Sequence, residues 1–151
     1  MKIKVDDLSG SEIICFLEAH MKDMMLVSPP ESRHALDLAG LKKTDITFWS
    51  VWQKNTLVGC GALKALNESE AEIKSMRTAS SARGKGVAST LLEHILKTCQ
   101  DKGYQTVNLE TGSMDFFAPA RHLYTKYGFT PCPPFAAYTK DPNSVYMSRQ
   151  I

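Results

Sequence analysis

The sequence predicts an α/β fold, and three observations carry that prediction. Residues 46–78 hold three strand-like runs, the first rich in aromatic and β-branched residues, divided by short polar turns, which is the pattern of an antiparallel meander. From Val87 the apolar period changes to that of a helix. Strand-like and helix-like stretches then alternate to the C-terminus, giving a β-α-β-α-β segment whose one-sided helices must pack on the sheet.

Taken in order, residues 2–5 alternate and read as an edge strand. Ser9 with Glu12 fits a capping box, Ser11 being the alternative cap. Ile13, Ile14, Leu17 and Met21, with Phe16 beside them, share one face of an amphipathic helix that runs to about Lys22. Pro29 and Pro30 break the chain. A short helix is expected from about Ser32 to Leu38, with Gly40 as its stop. Residues 46–52 and 57–63 are strands on either side of a turn, and the glycines of the second imply a tight crossing or a bulge. A third strand covers 71–78, with Ile73 and Met76 as candidates for the core. Apolar residues at 88, 91, 92, 95, 96 and 99 make the strongest helix, ended by Lys102-Gly103. Residues 106–110 form a strand. Ala120, Leu123, Tyr124 and Tyr127 cluster on a helix over 117–127 that Gly128 stops. A strand begins at Phe129-Thr130, residues 131–142 form a loop, and 144–148 close the sheet.

The 151 residues, 43% of them hydrophobic, suit one domain over 1–151 with one core. Net charge is +2. Residues 1–40 carry four basic and seven acidic side chains, and the remainder fourteen and nine, a mild excess that helps draw in an anion. With no dense basic stripe, a nucleic-acid surface is disfavoured. The four cysteines form no CxxC pair, and Cys15, Cys60 and Cys99 read as small core fillers. No histidine cluster implies a metal; His20 and His122 read as helix-surface residues. The N-terminus lacks a signal-like apolar run and no stretch approaches a membrane span, so a soluble cytoplasmic protein is expected, with no membrane partner.

Arg83-Gly84-Lys85-Gly86-Val87-Ala88 opens the strongest helix. The first four N–H groups of a helix have no intrahelical partner, and the helix dipole favours an anion there, so a phosphate fits. Gly84 and Gly86 remove Cβ atoms that would keep phosphate away, and Arg83 and Lys85 add charge. The plainer alternative is a solvated basic turn. The loop is neither GxxxxGK[ST] nor the GxGxxG of a dinucleotide-binding βαβ unit.

Residues 76–88 resemble the central motif of the GNAT superfamily of acetyltransferases, Arg/Gln-x-x-Gly-x-Gly/Ala, filled here by Arg83, Gly86 and Ala88. Ala120-Arg121-His122-Leu123-Tyr124-Thr125-Lys126-Tyr127-Gly128-Phe129 resembles a second family segment, A-x-x-L-Y-x-x-x-G-F. The order of elements matches over nearly the whole chain. Ser80 stands where the family usually has proline, and Phe117 where it often has asparagine. The resemblance implies a GNAT-like acyl-CoA N-acyltransferase fold: a central mixed sheet with an antiparallel N-terminal meander and flanking helices. It implies acetyl-CoA as acyl-donor cosubstrate, its pyrophosphate on residues 83–88 and its pantetheine arm paired as an extra strand with the backbone of Met76 and Thr78. The implied activity is acetyl transfer to a primary amine of a small-molecule or amino-acid-like acceptor by direct attack in a ternary complex. The alternatives are a non-catalytic acyl-CoA sensor, or an enzyme acting on a peptide or protein amine.

Such chemistry needs a neutral amine near the thioester, stabilisation of the oxyanion, and a proton for the leaving thiolate. A backbone N–H near Met76 is the candidate for the oxyanion. Tyr124 matches the family tyrosine near the cofactor sulfur and is the candidate acid; the other reading is a half-buried tyrosine on an apolar helix face. Glu72 and Glu110 are the candidate bases, acting directly or through water, and the alternative for Glu72 is a sheet-surface charge. The family's early helical segment often walls the acceptor site, which makes Glu31, Arg33 and His34 candidate acceptor ligands. Phe135 and Tyr138, in the late loop, either form an apolar lid that excludes water or pack the interface of a homodimer.

Overall fold

The computed structural model describes residues 1–32 and 36–151. The edge strand β1, Lys2–Val5, precedes a helix, α1, Ser11–Val27. After a 3₁₀ turn at Pro30–Ser32 and a one-turn helix, α2, Leu38–Leu41, comes the meander β2, Ile46–Gln53, β3, Thr56–Ala65, and β4, Glu70–Thr78. Helix α3, Val87–Asp101, leads to β5, Thr106–Gly112; α4, Ala118–Lys126, leads to β6, Thr130–Pro131, and β7, Ser144–Gln150, is the last strand in the chain and lies between β5 and β6. The seven strands lie in the order β1-β2-β3-β4-β5-β7-β6. All neighbours are antiparallel except β4 and β5, the parallel pair that the α3 crossover joins. This is the mixed α/β sheet that the sequence predicts.

Period-2 alternation divides the sheet between two cores. On one face Val51, Leu63, Ile73, Val107 and Leu109 meet Leu91, Leu92 and Ile95 of α3 and Tyr124 of α4. On the other, Phe48, Cys60 and Ala62 meet Ile13 and Leu17 of α1 and Leu41 of α2. Met76 is partly buried against the α3 core, as its strand position predicts.

Four local expectations are corrected. Helix α1 begins at Ser11 with Gly10 as its uncapped N-cap, because the Ser9 hydroxyl donates instead to Asp7 Oδ1 (2.6 Å), and it runs past Lys22 to Val27. Gly40 lies inside α2 rather than stopping an earlier helix, and Asp37 caps α2 by accepting from Gly40 N at 2.8 Å. Cys15 is exposed, whereas Cys60 and Cys99 are buried. His20 is half-buried rather than a helix-surface residue.

The β3 glycines serve close approach. A Cβ on Gly59 would meet Val87 Cγ1 at 2.7 Å, and one on Gly61 would meet Met76 Sδ at 2.5 Å and Leu91 Cδ2 at 3.0 Å. These two positions let the start of α3 and the bulged part of β4 lie against the sheet. Gly61→Ala overpacks this layer, and the expected loss is about 1–3 kcal/mol of stability, read from urea unfolding.

Opposite Gly61 the register of β4 shifts by one residue, and Ser75 takes φ +57. An extra residue of this kind bends a strand and increases its twist. Beyond it β4 leaves its neighbour: pairing with β5 runs only from Glu70↔Thr106 to Ile73↔Leu109, while β5 continues along β7 to Gly112↔Ser144. The sheet therefore opens between residues 74–78 and 110–112.

Candidate active site

A cavity of about 100 Å³ fills that opening. β4 lines it with Glu72, Lys74, Ser75 and Met76, β5 with Glu110 and Thr111, α4 with Ala120 and Tyr124, and α1 with His20 and Met24. Phe117, where the family often has asparagine, closes one side by packing its ring on Gly112, which has no Cβ to obstruct it.

One edge of the opening is backbone. Arg77 and Ala79 turn their polar groups toward β3, as the Ala79 N–H to Val58 O bond (2.9 Å) shows. By alternation, Thr78 turns its N–H and C=O toward the gap, and Met76 lies at the bulge beside it. The Ser75 hydroxyl oxygen is buried with no hydrogen-bond partner among the described residues, so the cavity carries an unmet polar group.

The opening leads to the N-terminus of α3. A 3₁₀ turn, Ser80–Ala82, pins the loop through buried Ala82. Gly84 and Gly86 take φ +76 and +82, a left-handed backbone that glycine adopts without strain, and a Cβ on either would meet nothing within 4 Å. No side chain caps α3. Arg83 and Lys85 are exposed, whereas the Val87 side chain is core and offers only its N–H. This geometry fits a diphosphate: open space, uncapped donors and two adjacent cations.

The titratable groups lie in distinct settings. Tyr124 is 6% exposed, more deeply buried than the half-buried placement that its helix pattern suggests. Burial, then the nearby Glu110 carboxylate, pushes its phenol well above the ordinary tyrosine range. Burial raises Glu110 from the ordinary 4.5 to about 7, against the opposing pull of Ser144 and the Lys74 ammonium. Glu72 is 3% exposed rather than a surface charge; it accepts from Lys74 Nζ at 3.1 Å and from the Tyr138 hydroxyl at 2.6 Å. Burial and the Arg77 guanidinium lower His20 to about 4, so its imidazole is neutral near pH 7. Arg77 itself ties β4 to α1 through Asp23 at 2.6 Å.

Residues 13–129 match the acetyltransferase (GNAT) family. The chain belongs to that family. It is 50% identical to the uncharacterized N-acetyltransferase YsnE of Bacillus subtilis (strain 168) across 100% of both chains. It is 45% identical to the uncharacterized N-acetyltransferase YedL of Escherichia coli (strain K12), over 97% of this chain and 92% of that one. A GNAT family acetyltransferase from Elizabethkingia anophelis, solved with acetyl-CoA bound, has the same fold: TM-score 0.67 at 15% identity, over 99% of this chain and 97% of that one. The chain is thus an N-acetyltransferase of the GNAT family.

The GNAT frame brings together Tyr124, Glu72, Glu110 and the Met76 strand, with Tyr138 reaching in from the late loop. Phe135 lies beside Tyr138 and Tyr146, ring centroids 5.1 and 6.0 Å apart, and so reaches the site only through that aromatic cluster. Glu31 is exposed and does not line the cavity, whose wall comes instead from His20 and Met24 of α1. Arg33 and His34 lie outside the described residues. His20 and Lys74 are absent from the sequence-based candidates. Both leave a signal: Ile13, Leu17, His20 and Met24 repeat at 4-3-4 spacing along α1, and Lys74 shares a strand face with Glu72.

Among the described residues no group of three or more His, Cys, Asp and Glu side chains is placed to hold a metal, and no helix is long and apolar enough to cross a membrane.

Proposed function

We propose that the protein transfers acetyl from acetyl-CoA directly to the primary amine of a small molecule. The observation that carries this is the single opening that joins three features: an uncapped, glycine-opened helix start, an unpaired strand edge, and a cavity holding a carboxyl and a phenol. Acetyl-CoA supplies the activated acetyl thioester. The N–H groups of residues 84–88, with Arg83 and Lys85, hold its diphosphate, and the backbone of Met76 and Thr78 holds its pantetheine arm.

Glu110 acts as the base. Its raised proton affinity lets it take a proton from an acceptor ammonium near neutral pH, directly or through water. Glu72 is the poorer base, since both its partners already donate to it. Tyr124 keeps its proton at neutral pH and donates to the leaving thiolate. Direct attack is supported by the cysteines: none lines the cavity, and burial raises Cys60 to about 12 and Cys99 to about 11, so neither is a ready thiolate nucleophile.

The test is incubation of the purified protein with acetyl-CoA and a broad panel of small amines, following thiol release and product mass. Acceptor-dependent thiol release with an acetylated amine is expected. Tight acetyl-CoA binding with no turnover on any amine would favour a sensor instead.

A further inference from the structure

Acetyl transfer by Glu110 and Tyr124 leaves a buried ion pair beside them without a part. Lys74 is 8% exposed in its side chain and Glu72 is 3% exposed. Lys74 Nζ donates to Glu72 Oε2 at 3.1 Å and to the Tyr138 oxygen at 2.8 Å, and the Tyr138 hydroxyl donates to the same Glu72 oxygen at 2.6 Å. The three groups form a closed triangle, with the ammonium also 5.5 Å from the Tyr138 ring centre. A buried pair of this kind stabilises a fold no better than well-packed apolar side chains. Its position on the cavity lining, with Lys74 next to the bulged Ser75, points to the site itself.

Glu110 lines the same cavity from β5. Around that carboxyl stand Glu72 and Lys74 of β4, Tyr124 of α4, Tyr138 and Asp141 of the late loop, and Ser144 and Tyr146 of β7. The anions Glu72 and Asp141 favour the protonated carboxyl, and Lys74 is the cation that opposes them.

We propose that Lys74 is a positioning residue of this active site: clamped between Glu72 and Tyr138 on the cavity wall, its ammonium holds Glu72 out of proton transfer and sets the proton affinity of Glu110. The consequence for catalysis rests on Glu110 being the base. The electrostatic claim stands or falls separately.

The experiment titrates Glu110 in the free protein, by carboxyl carbon NMR of glutamate-labelled samples, with the signal assigned by its loss in Glu110→Gln. Lys74→Met should raise the Glu110 midpoint by about one pH unit, and Glu72→Gln should lower it by a comparable amount. The double variant Lys74→Met/Glu72→Gln should return it close to the parent, and Lys74→Arg should preserve it. A merely structural pair moves none of these midpoints in this signed pattern. Should Lys74→Met fail to fold, Glu72→Gln and Lys74→Arg carry the same test. An unmoved Glu110 midpoint in folded Lys74→Met or Glu72→Gln overturns the proposal. The acidic limb of kcat/KM should follow the NMR midpoint; a midpoint that moves while the limb stays supports the role of Lys74 and sinks Glu110 as the base.

Discussion

Glu110→Gln lowers kcat/KM by about 10²- to 10⁴-fold at pH 7, the range that a positioned acid or base contributes. In the parent, kcat/KM rises with pH through about 7 as the Glu110 carboxyl gives up its proton. In the variant that limb is absent, and the remaining pH dependence is that of the acceptor's own ammonium. Gln keeps the size of the side chain and loses the titration, so acetyl-CoA affinity should hold within a factor of about three. The same substitution changes stability in a signed way. The folded carboxyl holds its proton to higher pH than the unfolded one, so the folded state binds more protons between pH 4.5 and about 7. Stability of the parent therefore falls as pH rises through that window, by up to about 3 kcal/mol. Glu110→Gln removes that fall: thermal unfolding should place the variant above the parent at pH 8 and close to it at pH 4. An unchanged pH profile of both rate and stability would remove Glu110 from the base role.

Tyr124→Phe lowers kcat by about 10²-fold or more, with little change in acetyl-CoA affinity. The phenol is buried, lines the cavity and is held protonated by burial and by Glu110, so it is available as a proton donor at neutral pH and not as a base. Phe keeps the ring contact with Phe129, whose centroid lies 5.8 Å away, and the fold should survive the change. Single-turnover rates with saturating acetyl-CoA separate the roles. A slowed acetyl-transfer step marks an acid, while equal rates would leave Tyr124 as a core residue only.

The parts of this molecule fixed by short-range pattern were legible in the sequence. The meander, the long α3 helix and its glycine opening follow from alternation, period and backbone freedom, and each stands within a residue or two of its expected place. Tyr124 and Glu110 were legible for a related reason, since the motif and the strand assignment put both near one strand end. What escaped depended on contacts between elements. Glu72 reads as either a base or a surface charge until Lys74 and Tyr138, the latter 66 residues away, are seen to bond it. His20 is polar in sequence, yet the packing of α1 over the bulged strand makes it part of the cavity wall. The extent of α1 was missed because Met24, Met25, Leu26 and Val27 lie between a clear amphipathic stripe and the prolines, and Met25 and Leu26 are exposed. The Ser9 cap failed because Asp7, two residues back, takes its hydroxyl first.

The central claim is that this opening in the sheet carries out direct transfer from acetyl-CoA to an amine. Initial rates of thiol release, measured while acetyl-CoA and an accepted amine are varied together, test it most directly. Intersecting double-reciprocal lines, with acetylated amine formed mole for mole with released thiol, are the predicted result. Parallel lines, or thiol release that proceeds without acceptor, would contradict it.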